Sequence, residues 1–295
     1  MTAEIQRTQR LREIIKELAT DIGERNLYQY HNLKVAASFI ESFFQTHGYT
    51  VSRQVYEAKN KEFSNLETQI VGTDRPHEII ILGAHYDTHR RSPGANDNGS
   101  AIAAMLELAR AYRGKTFSRT LRFVAFTNEE SPFTRKSDMG SRVYARQCRE
   151  QNEKIVAMIC LETIGFYSER KGSQRLSLMG MMLPRRGNFI ALVGNRSSRK
   201  LLSDMDNLFH DHSNIPCKAL TLPTNFPGAW SSDHWSFWKE GYPAIMVTDT
   251  APLRYRQYHT PEDTPEIINY EVLTKVVDGL EQVIERLAMR KHNVG

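Results

Sequence analysis

The stretch HEIIILGAHYDTHRRSPGANDNGS, His77 to Ser100, opens on a continuous aliphatic run and closes on a loop holding His85, Asp87, His89, Asp97 and Asn98. Such a run, rich in isoleucine, reads as a strand buried on both faces, the mark of a parallel sheet covered by helices. Ser100–Tyr112 then carries Ala, Leu and Met on one helical face, so the loop joins a strand to a helix. Turns favour Asp, Asn, Gly and Pro, which makes a plain connection one reading of the loop. A metal site is the other. The rest of the chain decides between them.

The same pattern recurs along the sequence. TLRFVAFTNEE (120–130) delivers Glu129 and Glu130, KIVAMICLE (154–162) delivers Glu162, and PAIMVTD (243–249) leads through a loop to His259. In open α/β sheets ligands bind beyond the carboxyl ends of the strands. Arrivals from separate strands at that edge would gather two imidazoles and several carboxylates in one cleft. Alternating residues in TVSRQVYEA (50–58) and NLETQIVG (65–72) predict a hairpin-like pair, and RLSLMG (175–180) and FIALVGN (189–195) predict weaker strands. Helical spacing covers about 4–23, 32–47, 138–150, Ser197–His212, a short piece within 231–241, and about 269–290. The expected fold is α/β, with a mixed, mostly parallel central sheet flanked by helices on both faces. No linker or repeat interrupts residues 1–295, so one domain is expected, with helices and a first strand over 1–60 and the core over 65–290.

The 295 residues are 40% hydrophobic and 25% charged, an ordinary globular composition. No apolar run approaches the roughly 20 residues that cross a bilayer, so no membrane partner is expected. The N-terminus alternates charged and apolar residues, unlike a secretory signal, and a cytoplasmic location is expected. Cys148, Cys160 and Cys217 are odd in number and widely spaced, which argues against a disulfide framework and against a thiolate zinc site. The net charge of +5 is scattered, with doublets at Arg90–Arg91 and Arg185–Arg186 instead of a stripe, so no nucleic-acid partner is expected.

Histidine and carboxylate without cysteine suit Zn²⁺ in a hydrolytic role, or Mn²⁺ or Co²⁺. Two ions need a shared group, which a loop aspartate such as Asp97 can supply with its two oxygens. Neighbouring side chains at a strand end point different ways. One of Glu129 and Glu130 can therefore bind metal while the other takes a proton from water, as metallohydrolysis requires.

HYDT (85–88), GANDNGS (94–100), NEE (128–130), LETIG (161–165), SSDHWSFW (231–238) and YHTPEDT (258–264) occur in an order and spacing that resemble the di-zinc aminopeptidase family. That family groups the bacterial leucyl aminopeptidases with glutamate carboxypeptidase and glutaminyl cyclase, and the resemblance covers about 65–290. It implies a zinc-dependent exopeptidase acting on peptides, in the first place an aminopeptidase, in which a water activated between two zinc ions attacks the peptide bond. One ion would be held by His85, Asp97 and Glu162, the other by Asp97, Glu130 and His259. Glu129 would be the general base and acid, and Asp87 would accept a hydrogen bond from His85 and fix its tautomer. Glu129 and Glu162 would hold a substrate α-amine. A cis Asp97–Asn98 peptide is also implied. Glu162 departs from the family, where many relatives carry Asp. Tyr242 and Tyr258 are eligible donors to the developing oxyanion, and Asp233 is expected near the ligands or the substrate.

Trp230, Trp235, Trp238, Phe226, Met179, Met181 and Met182 are candidates to line a hydrophobic substrate pocket, with Trp238 better read as core. His31, His47, His77, His89, His210 and His212 are expected at the surface, and His234 is undecided. Two rival readings stay open: a mono-zinc, glutaminyl-cyclase-like acyltransferase built on Asp97, Glu130 and His259, and a non-catalytic binding module of the same fold.

Overall fold

The computed structural model describes residues 2–175, 183–226, 228 and 232–289. Strands β1 (Ser52–Ala58), β2 (Lys61–Ile70), β3 (Arg75–His85), β4 (Arg119–Phe126), β5 (Lys154–Glu162), β6 (Ile190–Gly194), β7 (Cys217–Thr221) and β8 (Ala244–Thr248) form one sheet in the order β1-β2-β4-β3-β5-β8-β6-β7. Its centre, β4-β3-β5-β8, is parallel throughout. The β1–β2, β2–β4 and β6–β8 pairs are antiparallel, and β6–β7 is parallel. The mixed, mostly parallel sheet read from the sequence is the sheet observed.

Helices α1 (Ala3–Lys16), α2 (Tyr30–Thr46), α3 (Ala101–Tyr112), α4 (Gly140–Glu150), α5 (Arg199–His212), α6 (His234–Lys239) and α7 (Tyr270–Met289) cover both faces. The period of two along β3 shows how. Ile80, Leu82 and Ala84 enter a core shared with α1, α2, α3, α5 and α7, while Ile79 and Ile81 enter the opposite core with α4 and α6. Burying each of these Ile and Leu side chains contributes about 1.5–3 kcal/mol. That is why the run reads as continuous instead of alternating.

Two elements depart from expectation. β7 was not foreseen, because it is a short strand at the sheet edge that exposes Lys218 and Ala219, which weakens its pattern. The first helix keeps α geometry only to Lys16, and Glu17–Ile22 continues it as a wider π turn before Gly23. Most of the strand expected over 175–180 lies outside the described residues. Among the described residues, no helix is long and apolar enough to cross a membrane.

Registry aligns the strand ends. His85 lies opposite Phe126, and Glu162 opposite Thr248. The other edge carries charge of a different kind. There the buried Glu78 carboxylate accepts from Arg119 Nε at 2.8 Å and Lys154 Nζ at 2.9 Å, tying together the starts of three central strands.

Candidate metal centre

Each central strand releases its polar residue at the carboxyl edge. His85 closes β3, Glu162 closes β5, Glu129 and Glu130 follow β4, and His259 sits in the loop after β8. Asn128, Thr163, Thr250 and His259 all have positive φ, from 46° to 72°. A β-branched residue at such an angle is an outlier, and outliers gather where surrounding structure imposes the backbone. Here they turn the chain immediately beside the acids and imidazoles. The Asp97–Asn98 peptide is cis, as the resemblance implies.

The six residues expected to hold ions or a proton converge. His85, Asp97 and Glu162 offer ligand atoms within 4.8 Å of one another, and so do Asp97, Glu130 and His259. His85 Nε2 lies 3.5 Å from Asp97 Oδ1 and 3.3 Å from Glu162 Oε2. His259 Nε2 lies 3.1 Å from both Asp97 Oδ2 and Glu130 Oε1. Asp97 therefore gives one oxygen to each triad. Glu129 Oε2 stands 3.9 Å from His85 Nε2, at the edge of the first triad. The longer arm of Glu162 does not displace it from the cluster, and its Oε2 also accepts the Ser232 hydroxyl at 2.5 Å.

The donor set fits divalent cations. His85 Nε2 in the first triad and Asp97 Oδ2 in the second are buried and have no hydrogen-bond partner, so each triad holds a group that demands one. Burial raises the Glu129 carboxyl well above its ordinary range, with His85 opposing and Glu130 reinforcing. Burial, helped by Asp97, pushes Glu130 up to about 7. Burial would lower His259, but the Asp97 and Glu130 carboxylates beside it outweigh that and hold it at about 10. Carboxylates and imidazoles packed this closely away from water are the arrangement that bound cations neutralise.

Supporting contacts hold these candidate ligands in place. His85 Nδ1 lies 3.1 Å from the main-chain oxygen of Asp87, while the Asp87 carboxylate is 3.6 Å away. The tautomer is thus held by the Asp87 carbonyl. The Asp87 carboxylate instead accepts the backbone N–H of Glu129 at 3.1 Å and of Glu130 at 3.0 Å, which sets the direction of both side chains. Asp263 does the same for the bridging loop, accepting from Asn96 N at 2.9 Å and Asp97 N at 3.0 Å. Arg25 is fully buried and donates to the carbonyls of Leu18, Gly23, Tyr86, Pro93 and Gly94, so the N-terminal segment clamps the loop between His85 and Asp97. Neither Asp263 nor Arg25 was singled out from sequence. Asp263 lies inside a quoted motif, whereas Arg25 carries no local signal.

Other expectations are redistributed. Tyr242 is a correction: its hydroxyl donates to the Glu153 carbonyl, just before β5 begins, at the edge of the sheet opposite the site. Tyr258 stacks on His259 with ring centroids 3.8 Å apart and shares a cavity with Glu162. Asp233 is fully buried beside Ser232, its carboxylate oxygens without hydrogen bonds, and burial pushes it up to about 7. His234 is buried edge-on against Trp238. Trp238 belongs to the core, donating to the Ala244 carbonyl, and Trp235 and Phe226 pack against that core. Met179, Met181, Met182 and Trp230 lie outside the described residues. The cavity that does adjoin Glu162 holds about 100 Å³ and is walled by Val193, Leu220, Met246, Leu253 and Tyr258, residues that sequence reasoning did not connect except for Tyr258. His89 is half-buried against His259, and His47 and His212 are also half-buried, against the expected surface positions.

A family model for peptidase family M28 matches residues 65–284. The chain belongs to peptidase family M28. Among relatives, Escherichia coli K12 YfbL, an uncharacterized protein, is 33% identical over 92% of this chain and 86% of its own length. Bacillus subtilis aminopeptidase YwaD is 28% identical over 75% of this chain, which spans only 45% of YwaD. Among solved structures, a zinc aminopeptidase from Bacillus subtilis superposes with a TM-score of 0.74 at 16% identity, covering 96% of this chain and 95% of that one. The M28 match begins after β1, so α1, α2 and the segment between them that carries Arg25 lie outside it.

Proposed function

We propose that this M28 chain is a metal-dependent aminopeptidase that uses two divalent cations, zinc in the first place and manganese or cobalt as alternatives, to release N-terminal residues from peptides. The observation that carries the reading is Asp97, whose two oxygens face two separate ligand triads with Glu129 beside them. When bound, such ions supply Lewis acidity that polarises a carbonyl and lowers the pKa of water to about 7.

The chain's own residues do the rest. Glu129, buried and raised in pKa, takes a proton from the attacking water and returns it to the leaving amine. Asp87 keeps Glu129 aimed by holding its backbone N–H. Burial raises the Tyr258 phenol well above its ordinary value, so it stays protonated and can donate to an oxygen that gains charge. Glu129 and Glu162 offer carboxylates to a free α-amine, and Asp233 lies behind them. The cavity of Val193, Leu220, Met246 and Leu253 takes an aliphatic side chain of the first residue.

A one-zinc acyltransferase would not need the His85–Asp97–Glu162 triad, so its completeness favours hydrolysis over cyclisation. Three free, buried cysteines suit the reducing cytoplasm proposed with this reading. The test is release of a free amino acid from an unblocked peptide, compared with its N-acetylated form, before and after chelation. Cleavage of the unblocked peptide only, lost on chelation, is expected. Equal cleavage of both peptides, or indifference to chelation, would overturn the reading.

A further inference from the structure

A second cavity, of about 260 Å³, lies at the same edge of the sheet, between the segment after β5 and the loop that carries His259. Its walls include Arg170, Arg175, Arg254 and Arg256, with Phe166 and Tyr255 between them. Among the described residues, none of these four guanidinium groups is hydrogen-bonded or ion-paired to a carboxylate. The acids in the neighbourhood are already engaged. Glu169 accepts from Asn188, and Asp249 accepts from Asn96 and the backbone N–H groups of Phe166 and Ala251.

Arg254 is the informative member. It is 5% exposed, lies over the rings of Phe189 and Tyr167, and donates to Gln174 and the Phe166 carbonyl, yet its Nη2 has no hydrogen-bond partner. The nearby Asp249 carboxylate offsets part of its charge, but a buried guanidinium whose set of acceptors is incomplete remains costly. Arg170, Arg175 and Arg256 are exposed and add three more positive charges to the same concavity. Concave walls of one sign concentrate the field on whatever ion enters, and guanidinium forks match oxyanions in pairs of hydrogen bonds.

We infer that this arginine-lined cavity binds an oxyanion, carboxylate or phosphate, and that the carboxylate of a short peptide substrate is its occupant. The second half rests on the aminopeptidase reading. Tyr255 links the two sites, since its ring stacks on Phe166 and meets Tyr258 edge-on, and Tyr258 stacks on His259. The cavity wall and the metal-ligand loop are thus one stretch of chain, Asp249 to His259. A peptide adds about 3.3–3.6 Å of reach per residue, so the occupant is expected at the tail of a peptide a few residues long.

Two measurements on the metal-loaded protein, wild type against Arg170→Gln/Arg175→Gln/Arg256→Gln, decide the matter. The first is calorimetric titration with inorganic phosphate. The second is the ratio of kcat/KM for one short peptide as free acid to that for its C-terminal amide. The triple variant is expected to bind phosphate at least tenfold more weakly at this cavity and to lose most of the acid-over-amide preference through KM. Weaker phosphate binding with an unchanged ratio would retain the oxyanion site and overturn its assignment to the substrate tail. Identical phosphate isotherms with an unchanged ratio would overturn the inference outright. If neither peptide is cleaved, the aminopeptidase reading fails, and the phosphate titration still decides the cavity.

Discussion

The imidazole of His89 lies flat on that of His259, with ring centroids 4.1 Å apart and planes 7° from parallel. Tyr258 covers the opposite face at 3.8 Å, so a loop histidine that contacts two carboxylates is sandwiched between two rings. A ligand on a loop needs such support, because a flexible arm pays ordering entropy each time it binds.

His89→Ala is therefore expected to loosen the Asp97–Glu130–His259 triad more than the other. Loss of one stacked ring is worth about 0.5–1.5 kcal/mol, or roughly a two- to tenfold weaker second ion. Competitive metal titration checks this. Equal weakening of both ions, or none, would show that His89 does not position His259.

Arg25→Met is expected to destabilise the fold and the site together. Five carbonyls lose a donor, and several are buried where water does not replace it. Unsatisfied buried acceptors cost about 1–3 kcal/mol each, so a loss of about 3 kcal/mol or more is expected. Thermal melting reads the stability, and metal content of the surviving folded protein reads the loop. A melting temperature within a degree of wild type would deny Arg25 its clamping role.

Glu78 sets an acid limit on stability that is separate from the site. Burial would raise its carboxyl, but hydrogen bonds from Arg119 and Lys154 outweigh that and hold it at about 2. A depressed carboxyl stabilises the fold above its unfolded value, roughly 4.3. That contribution fades as pH falls from there toward about 2. Glu78→Gln should cost about 1–2 kcal/mol at pH 7 and flatten the decline in stability below pH 5. Denaturant melts at several pH values test it, and an unchanged acid limb would refute it.

The strands were legible because sheet burial writes itself into composition. Isoleucines 79 to 81 need apolar neighbours on both sides, and only a covered parallel sheet provides them. Among the candidate ligands, His85, Glu130 and Glu162 were legible because each sits at or just beyond a strand end, and Asp97 and His259 because each lies in a loop motif of fixed spacing. What sequence did not show depends on distance across the fold. Tyr242 and Tyr258 look equally eligible on paper, yet β8 separates them, one at each edge of the sheet. Arg25 reaches its acceptors through tertiary approach, with no periodicity to betray it. The aliphatic cavity draws on β6, β7, β8 and the following loop, four segments with no common motif.

That cavity yields a further expectation about specificity. Leu253→Trp narrows it without replacing a candidate metal ligand. Filling a side-chain pocket changes discrimination by about 1–3 kcal/mol, so kcat/KM for a leucyl substrate should fall at least tenfold relative to an alanyl one. Paired aminoacyl-anilide assays give the ratio. A ratio that does not move would place the first residue of the substrate elsewhere.

Glu129→Gln separates chemistry from binding. The amide keeps the shape but cannot carry the proton, so turnover should drop about 10²- to 10⁴-fold while metal content stays at the wild-type level. Retained turnover would remove Glu129 from the proton path.

The most direct test of the whole account is elemental analysis of the purified protein, run beside Asp97→Ala and His259→Ala. Two divalent ions per chain in the wild type, about one in His259→Ala, and loss of ions from both triads in Asp97→Ala are predicted by a carboxylate that serves both triads. A wild-type chain that binds one ion or none at saturation, or an Asp97→Ala chain that keeps two, would contradict it.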